Sequence, residues 1–235
     1  MRCTSFAMIV CALVATAATS AKAAYVDVTT GYSSVAGAEL ELSDGSLNPN
    51  SNTPGANEDP DKALDDDSGT KYLNFAGAGL NDAGEQASNP TGFVVVLDSP
   101  AAIGGVQFTT ANDFASRDPG VVQIFGTNMT GTASEIIDLA TAADLTEVYY
   151  GSTGVPQFAT VNDGRFETTP AQFFAESDEY SAYVVIVRDL VRYPGSAPTN
   201  MQFAEVSLLQ VPEPSTLALV GLAAVGLIGF VGRNR

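Results

Sequence analysis

The sequence contains no histidine and no tryptophan, and its only two cysteines, Cys3 and Cys11, lie close to the N-terminus. Without histidine there is no imidazole to act as a general base or as a zinc ligand. Beyond Cys11 the chain also lacks a thiol, which excludes disulfides and cysteine nucleophiles from the rest of the sequence. Together these absences exclude much of ordinary hydrolase chemistry.

Basic residues are also scarce: the chain has 10 lysines and arginines against 27 aspartates and glutamates, a net charge of −17. All acidic residues except Glu213, but only six of the basic ones, fall within residues 24–210, so that region carries about −20. Nucleic acid and anionic lipid are not expected partners, since both require a basic footprint. Such an excess of negative charge keeps a protein soluble by self-repulsion, and it favours binding of divalent cations between neighbouring carboxylates.

The N-terminus has the pattern of a secretory signal peptide. Arg2 supplies a positive charge, Phe6–Ala18 is an apolar stretch, and Ala21-Lys22-Ala23 has the small-x-small form of a cleavage site. We therefore expect residues 1–23 to be a signal peptide, cleaved after Ala23.

The C-terminus has a second apolar segment, which follows Val-Pro-Glu-Pro-Ser-Thr at residues 211–216. The run Leu217–Val231 has fifteen residues, about 22 Å as a helix, and three uncharged flanking residues bring it close to the ~30 Å bilayer core. The alternative is a buried core helix. A membrane-inserted helix over residues 217–231 is the stronger interpretation, because the segment is apolar on all faces and ends in Arg233 and Arg235, as the positive-inside rule requires.

This combination of Pro212-Glu213-Pro214, apolar helix and basic end resembles the PEP-CTERM sorting signal of Gram-negative bacteria. The resemblance implies that residues 211–235 are recognised by exosortase, a membrane transpeptidase, which removes the tail during export. It further implies a precursor inserted in the inner membrane and a product at the cell surface or in the extracellular matrix.

Residues 24–210 show the pattern of an all-β domain. Short apolar, β-branched and aromatic runs alternate with turns rich in Gly, Pro, Asn and Asp, which predicts a sandwich or jelly roll. Phe93–Leu97 and Tyr183–Val187 are apolar throughout and are predicted as central strands, Ala133–Ala143 as a short helix, and Leu47–Pro60 as a long loop. The other predicted strands are Tyr25–Val28, Glu39–Leu42, Lys71–Phe75, Val106–Thr110, Val121–Phe125, Glu147–Tyr150, Gln157–Val161 and Phe203–Leu209.

Three stretches together resemble the discoidin-like family of β-sandwiches, also called factor 5/8 C-type or galactose-binding-like domains. Residues 62–75 resemble the family's Ala-x-Asp-Gly-Asp-x-x-Thr-x-Trp segment, with Asp66 in place of Gly and Tyr72 in place of Trp. Residues 108–128 follow its strand, Arg-Asp-Pro and closing Gly-Thr-Asn pattern, and 180–183 with 201–206 resemble its last strands. The resemblance implies a discoidin-like jelly-roll sandwich.

The loop Asp65–Thr70 is a candidate calcium site, because Asp65, Asp67, Thr70 and a backbone carbonyl can supply the oxygens that Ca²⁺ prefers. An EF-hand is excluded, since the twelfth position from Asp65 is Ala76 rather than Glu. The alternative is a solvated acidic turn without a cation. The family resemblance implies a structural Ca²⁺ in this loop, with the Lys62 carbonyl and Glu205 as further ligands.

A second candidate site comprises Asn112, Asp113 and Arg117, whose side chains could hydrogen-bond sugar hydroxyls at the rim of the sandwich. The alternative, which the sequence favours, is that Arg117 pairs with Asp113 or with Asp118 and pins the loop. Tryptophan, the usual residue that stacks on sugars, is absent. The candidate substitutes are Tyr32, Tyr150 and Tyr193, while the phenylalanines are expected in the core.

Catalysis is not expected. Paired carboxylates can hydrolyse glycosides, but no phosphate loop, nucleophile elbow or metal-hydrolase motif is present in the sequence. The composition and the two resemblances favour an exported, non-catalytic module that binds polysaccharide or another matrix component. The alternative is a structural protein of the exopolysaccharide or biofilm matrix, which recognises no small ligand and acts through bulk charge.

Overall fold

A computed structural model describes residues 25–55, 57–79, 85–86, 88–156, 165–191 and 200–211, and the contacts define Val26–Val211 as a compact unit. The signal peptide and the C-terminal sorting segment with its predicted helix lie outside the described residues. The elements are β1 Val26–Asp27, β2 Tyr32–Leu40, β3 Leu47–Pro49, β4 Tyr72–Asn74, β5 Thr91–Ala101, β6 Gly105–Thr109, β7 Pro119–Thr127, α1 Ala133–Leu139, β8 Thr146–Ser152, β9 Gln172–Phe173, β10 Tyr180–Leu190, β11 Met201–Phe203 and β12 Glu205–Gln210.

All strand pairs are antiparallel, and they form two main sheets and a ribbon. The larger sheet has the order β3-β2-β5-β10-β7-β8, the smaller one β1-β12-β6-β9, and β4 pairs with β11. In the middle of the larger sheet Phe93 pairs with Val185 and Val95 with Tyr183. The prediction that Phe93–Leu97 and Tyr183–Val187 are central strands is therefore confirmed, as is the all-β sandwich.

The main core lies between the sheets and is built around an aromatic cluster. Phe203 contacts Tyr72 and Phe108 edge-to-face, with ring centroids 5.7 and 5.3 Å apart. Phe93 completes the cluster, and all four rings are buried. Each such side chain contributes roughly 1.5–3 kcal/mol through burial, so these strands, which carry the candidate sites at their ends, are firmly held.

The opposite face of the larger sheet is covered by α1. A capping box between Thr132 and Glu135 starts this helix, and Ile136 and Ile137 pack onto the side chains of β5 and β10. Both faces of the two central strands are thus buried, which explains why their sequences are apolar throughout rather than alternating. The predicted helix Ala133–Ala143 is real but ends at Leu139.

Two boundaries differ from the sequence prediction. The strand predicted at Glu39–Leu42 runs instead from Tyr32 to Leu40, and the chain turns directly after it. Leu47–Pro60, predicted as one loop, contains β3, which pairs with the end of β2. The sequence hides β2 because its Ser, Ala and Gly residues lack large alternating apolar side chains.

The predicted strand Gln157–Val161 lies outside the described residues. Within the described part of the chain, no helix is long and apolar enough to cross a membrane.

Candidate functional site

The loop between Lys62 and Tyr72 is fixed at both ends by regular structure. Lys62 lies in a 3-10 turn that begins at Pro60, and Tyr72 opens β4, where it pairs with Phe203 of β11. Glu205 begins β12 two residues later. The β4–β11 pairing therefore brings Glu205 next to the Asp65–Thr70 loop despite their separation in sequence.

Oxygen atoms crowd around the hydroxyl of Thr70. Its Oγ1 lies 3.0 and 3.1 Å from the two carboxylate oxygens of Asp65, 3.0 Å from the Asp67 carbonyl and 3.3 Å from the Lys62 carbonyl. A hydroxyl has a single hydrogen to donate, so it can satisfy only one of these acceptors at a time. The other acceptor oxygens therefore lie close to the Thr70 oxygen without a hydrogen between them, and a hard cation stabilises such an arrangement.

Glu205 supplies a half-buried carboxylate to the same place. Its Oε1 is buried and has no hydrogen-bond partner. Burial, together with the negative charges of Asp65 and Asp66, raises the pKa of Glu205 to about 8. An orphaned buried acceptor is costly, and a divalent cation between Glu205 and Asp65 would remove both the orphan and the repulsion. These residues therefore fit a calcium ion.

Asp66 keeps the loop conformation that the family pattern assigns to glycine. Its φ is +57°, in the left-handed region, which aspartate tolerates better than most residues.

The side chain of Asp67 does not take the position predicted for a calcium ligand. Its Oδ1 accepts the Gly69 N–H at 2.8 Å, while its backbone carbonyl faces Thr70. Asp67 therefore offers its carbonyl oxygen rather than its carboxylate to the oxygen cluster.

Carboxylates alone do not form this site. Among the described residues, no group of three or more carboxylate, imidazole or thiol side chains is arranged to hold a metal ion. The cluster combines two carboxylates, Asp65 and Glu205, with hydroxyl and carbonyl oxygens, a mixture that suits Ca²⁺. The ammonium of Lys62 lies 3.4 Å from Asp65 and 3.2 Å from Asp61 and supplies some positive charge there.

A polar cleft of about 700 Å³ adjoins the oxygen cluster. The loop contributes Lys62 and Thr70 to its lining, and Asn57, Glu58 and Asn112 line it as well. The concavity is thus next to the candidate calcium loop and is lined by groups that can hydrogen-bond hydroxyls.

Lys71 holds the predicted ligand residues in place. Its Nζ lies 3.1 Å from Asn112 Oδ1, 2.9 Å from Asp113 Oδ1 and 3.6 Å from Glu58 Oε1, and its side chain is only 11% exposed. Partial burial opposes ionisation of Asp113, but the hydrogen bond and charge of Lys71 outweigh it and lower the pKa of that carboxyl. Lys71 thus fixes both Asn112, which lines the cleft, and its sequence neighbour Asp113.

Arg117 has a different partner from those predicted. Its guanidinium lies 4.1 Å from the centroid of the Phe114 ring. Asp113 is bound by Lys71, and Asp118, which is 1% exposed, is bound by Arg165 through both carboxylate oxygens. Burial raises the pKa of Asp118 to about 8, and Arg165 opposes the shift. The predicted pairing of Arg117 with Asp113 or Asp118 is therefore wrong.

Phe114 is the residue that the sequence did not identify. It is 60% exposed and has a φ of +36°, which bulky side chains rarely adopt. The expectation that phenylalanines lie in the core is wrong here, and also for Phe75, Phe166 and Phe173, which are at least 42% exposed. Phe114 follows Asn112 and Asp113 directly, so a solvent-facing ring stands at the rim that carries the predicted ligand residues.

Comparison with known proteins identifies the C-terminus. Residues 210–235 match the PEP-CTERM protein-sorting motif. The chain carries a PEP-CTERM sorting motif. This motif indicates that the protein is exported, as the sequence predicted. No curated protein matches the chain.

Comparison with solved structures identifies the fold. The structure of the CBM32-1, CBM32-2 and M60 catalytic domains of Clostridium perfringens ZmpB matches 80% of this chain and 15% of its own, with 11% identity and a TM-score of 0.50. The family 32 carbohydrate-binding module of C. perfringens NanJ, in complex with galactose, matches 80% and 100%, with 10% identity and a TM-score of 0.46. Chitosan-binding module 1 of a Paenibacillus sp. IK-5 chitosanase/glucanase matches 79% and 98%, with 17% identity and a TM-score of 0.44.

At these identities the likeness shows architecture alone. The β-sandwich domain, which precedes the PEP-CTERM motif in the chain, has the fold of family 32 carbohydrate-binding modules. What it binds has to be argued from its own residues.

Proposed function

We propose that this chain is an exported, non-catalytic protein of the cell surface or extracellular matrix whose sandwich binds carbohydrate and is stabilised by calcium. After removal of residues 1–23, exosortase would recognise Pro212-Glu213-Pro214 and release the domain from its membrane-inserted tail. The matched sorting motif supports this route, and the residues at the rim of the sandwich support the binding role.

The rim around Phe114 is the single observation that carries the binding proposal. The Arg117 guanidinium lies over one face of the Phe114 ring, and the rest of this exposed ring can pack against the C–H face of a sugar. Arg117 and Asn112, two residues before the ring, carry hydrogen-bond donors. A positive φ in a bulky residue costs roughly 1–3 kcal/mol, and such residues cluster at functional sites, although Phe166 has one as well. The adjoining cleft can hold further sugar hydroxyls.

Calcium would act structurally in this proposal. The ion would be held by Asp65, Glu205, the Thr70 hydroxyl and the carbonyls of Lys62 and Asp67. When bound, it supplies positive charge that neutralises the crowded carboxylates. Since Lys62 and Thr70 also line the cleft, an ordered loop fixes one wall of the ligand site.

A glycan array probed with the full-length chain in detergent, with calcium or with a chelator, tests the binding role. We expect binding to at least one glycan class, and a loss of at least tenfold in Phe114→Ala and Arg117→Gln. Phe173→Ala, which removes another half-exposed ring on strand β9, serves as the matched control and should bind normally. The proposal is wrong if no glycan binds, or if the rim variants and the control behave alike.

The composition favours one alternative, a structural matrix protein that recognises no small ligand. Its basis is the net charge of about −20 in residues 24–210, which would act through bulk repulsion and counterion binding. Failure of the array together with normal sorting and a matrix defect on deletion would support this alternative.

A further inference from the structure

Two arginines of the described residues are left without a carboxylate partner, although acidic groups are abundant. Lys62, Lys71 and Arg165 form ion pairs, whereas within the described part of the chain no carboxylate oxygen lies within 4 Å of Arg117 or Arg188. Each of these two guanidiniums lies over an exposed aromatic ring instead, and Arg117 belongs to the rim already described. Arg188 forms a separate place on the surface.

Arg188 lies near the end of β10, on the face of the larger sheet that also carries α1. Its Nη1 donates to Gln123 Oε1 at 3.0 Å, and Gln123 in turn donates to Glu147 at 2.6 Å. The guanidinium is 5.9 Å from the centroid of Tyr150, a ring that is 55% exposed. Its Nε is buried and has no acceptor, so this cation is neither neutralised nor fully hydrogen-bonded.

A cleft of about 230 Å³ opens beside Arg188. Leu40, Leu42, Phe125 and Leu145 supply apolar walls, and Glu41 and Gln123 supply polar atoms. The volume is below the 300–1,000 Å³ typical of drug-sized ligands, so it fits a single small unit. Glu41 already accepts hydrogen bonds from the Ser43 backbone N–H and from Asn89, which lower the pKa of its carboxyl.

We propose that Arg188, Gln123 and Tyr150, with the adjoining cleft, form a second ligand site that binds the carboxylate of a uronic-acid residue in an acidic polysaccharide. A guanidinium can pair with a carboxylate in two parallel hydrogen bonds through its two terminal nitrogens, and the buried Nε takes no part in this pairing. The Tyr150 ring gives the sugar an apolar face to pack against. Glu41 and the Gln123 amide accept and donate at the remaining hydroxyls.

Charge limits the places on the sandwich where an acidic ligand would bind. The domain as a whole repels polyanions, and most of its described cations are already occupied by carboxylates. An anionic ligand can form a direct ion pair only with a guanidinium that is not already paired with a carboxylate of the protein. The site is independent of the proposed function, because it shares no residue with the rim or with the calcium loop.

Calorimetric titration of the full-length chain in detergent with oligogalacturonate tests this site. Arg188→Gln should weaken binding at least tenfold, since one partner of a charge-assisted pair is lost. Tyr150→Ala, at an exposed position, should weaken it about threefold or more. Arg188→Lys should be intermediate, because lysine keeps the charge but not the fork. Phe173→Ala, which removes a half-exposed ring on β9 outside both proposed sites, is the matched control and should leave this binding unchanged.

Further arms identify the ligand class. A neutral dextran oligomer should not compete with oligogalacturonate, and neither should poly-glutamate at equal carboxylate concentration. Equal binding of the wild type and Arg188→Gln, provided both have the same circular dichroism spectrum, overturns the proposal. Competition by dextran would show that the ligand's carboxylate is not required and would overturn the proposal. Competition by poly-glutamate would show that the site binds an acidic peptide rather than a uronic acid and would overturn it as well. If Arg188→Gln does not fold, the result for Tyr150→Ala decides in the same way.

Discussion

Calcium should change the pH dependence of stability through Glu205. Without a cation, burial and the neighbouring Asp65 and Asp66 raise its pKa from 4.5 to about 8 in the folded state. An acid with a raised folded pKa binds its proton more tightly in the folded chain, so the stabilisation is present at low pH and is lost as pH rises between 4.5 and 8. A calcium ion bound to the ionised carboxylate would abolish this loss.

The size of the effect follows from the shift. At 1.36 kcal/mol for each unit, the full difference corresponds to about 5 kcal/mol. Because Glu205 is only half-buried, solvent screening reduces this to on the order of 2 kcal/mol. For a domain of this size, 1 kcal/mol moves the melting temperature by roughly 2–4 °C. The cation-free chain should therefore melt roughly 4–8 °C lower at pH 8 than at pH 5, apart from a contribution of the same sign from Asp118.

Thermal melts followed by circular dichroism, with calcium or a chelator at both pH values, measure this directly. Calcium at a hundredfold excess over its Kd should add about 2.7 kcal/mol at pH 8 and much less at pH 5. Glu205→Gln should melt higher than the wild type in chelator at pH 8 and lose most of the calcium response, whereas the exposed control Glu176→Gln should respond normally. An identical calcium response in Glu205→Gln, or none in the wild type, would refute the assignment of this carboxylate.

Further predictions concern the loop, the sheet and the surface charge. Asp66→Gly should raise stability by up to about 1 kcal/mol, because glycine adopts the observed φ of +57° without strain and the change removes a charge near Glu205; chemical denaturation measures it. Gly92→Ala should lower stability by about 3 kcal/mol or more or prevent folding, because the added methyl meets the Val185 carbonyl of the paired strand; expression and melting show this. Oligogalacturonate binding at Arg188 should strengthen as salt rises from about 0.01 to 0.1 M, because the Debye length falls from about 30 to 10 Å and long-range repulsion is screened before the direct contact. Calorimetry across that range checks the sign, and a steady loss of affinity would contradict it.

The sequence predicted best those features that depend on neighbours along the chain. The apolar runs at Phe93–Leu97 and Tyr183–Val187 had to be buried on both faces, and they form the centre of the sheet. The spacing of Asp65, Asp67 and Thr70 places their oxygens in one tight loop whatever the rest of the fold does. Glu205 was predicted as a calcium ligand only through a family resemblance, and the β4–β11 pairing brings it next to the Asp65–Thr70 loop.

Features that depend on distant contacts were not predictable in the same way. Arg165 binds Asp118 across two loops, and no periodicity marks either residue as a partner. The exposure of Phe114 is equally invisible, since an apolar residue followed by polar ones fits a core position as well as a rim. Its backbone is left-handed, and such a conformation at a single non-glycine residue has no sequence signal.

The distribution of positive charge connects the two binding proposals with the acidic composition. A domain with about −20 charges neutralises its crowded carboxylates locally, through Lys62, Lys71 and Arg165 and, in our proposal, through calcium. Arg117 and Arg188 are left to lie over exposed rings, a placement that contributes only about 0.5–1 kcal/mol each to stability at the surface. Pairing each with one of the abundant acids would stabilise the fold about as well. In our proposals both arginines serve ligand binding, Arg117 at the rim and Arg188 at the second site, where it would give a protein that otherwise repels polyanions a direct contact for a carboxylate.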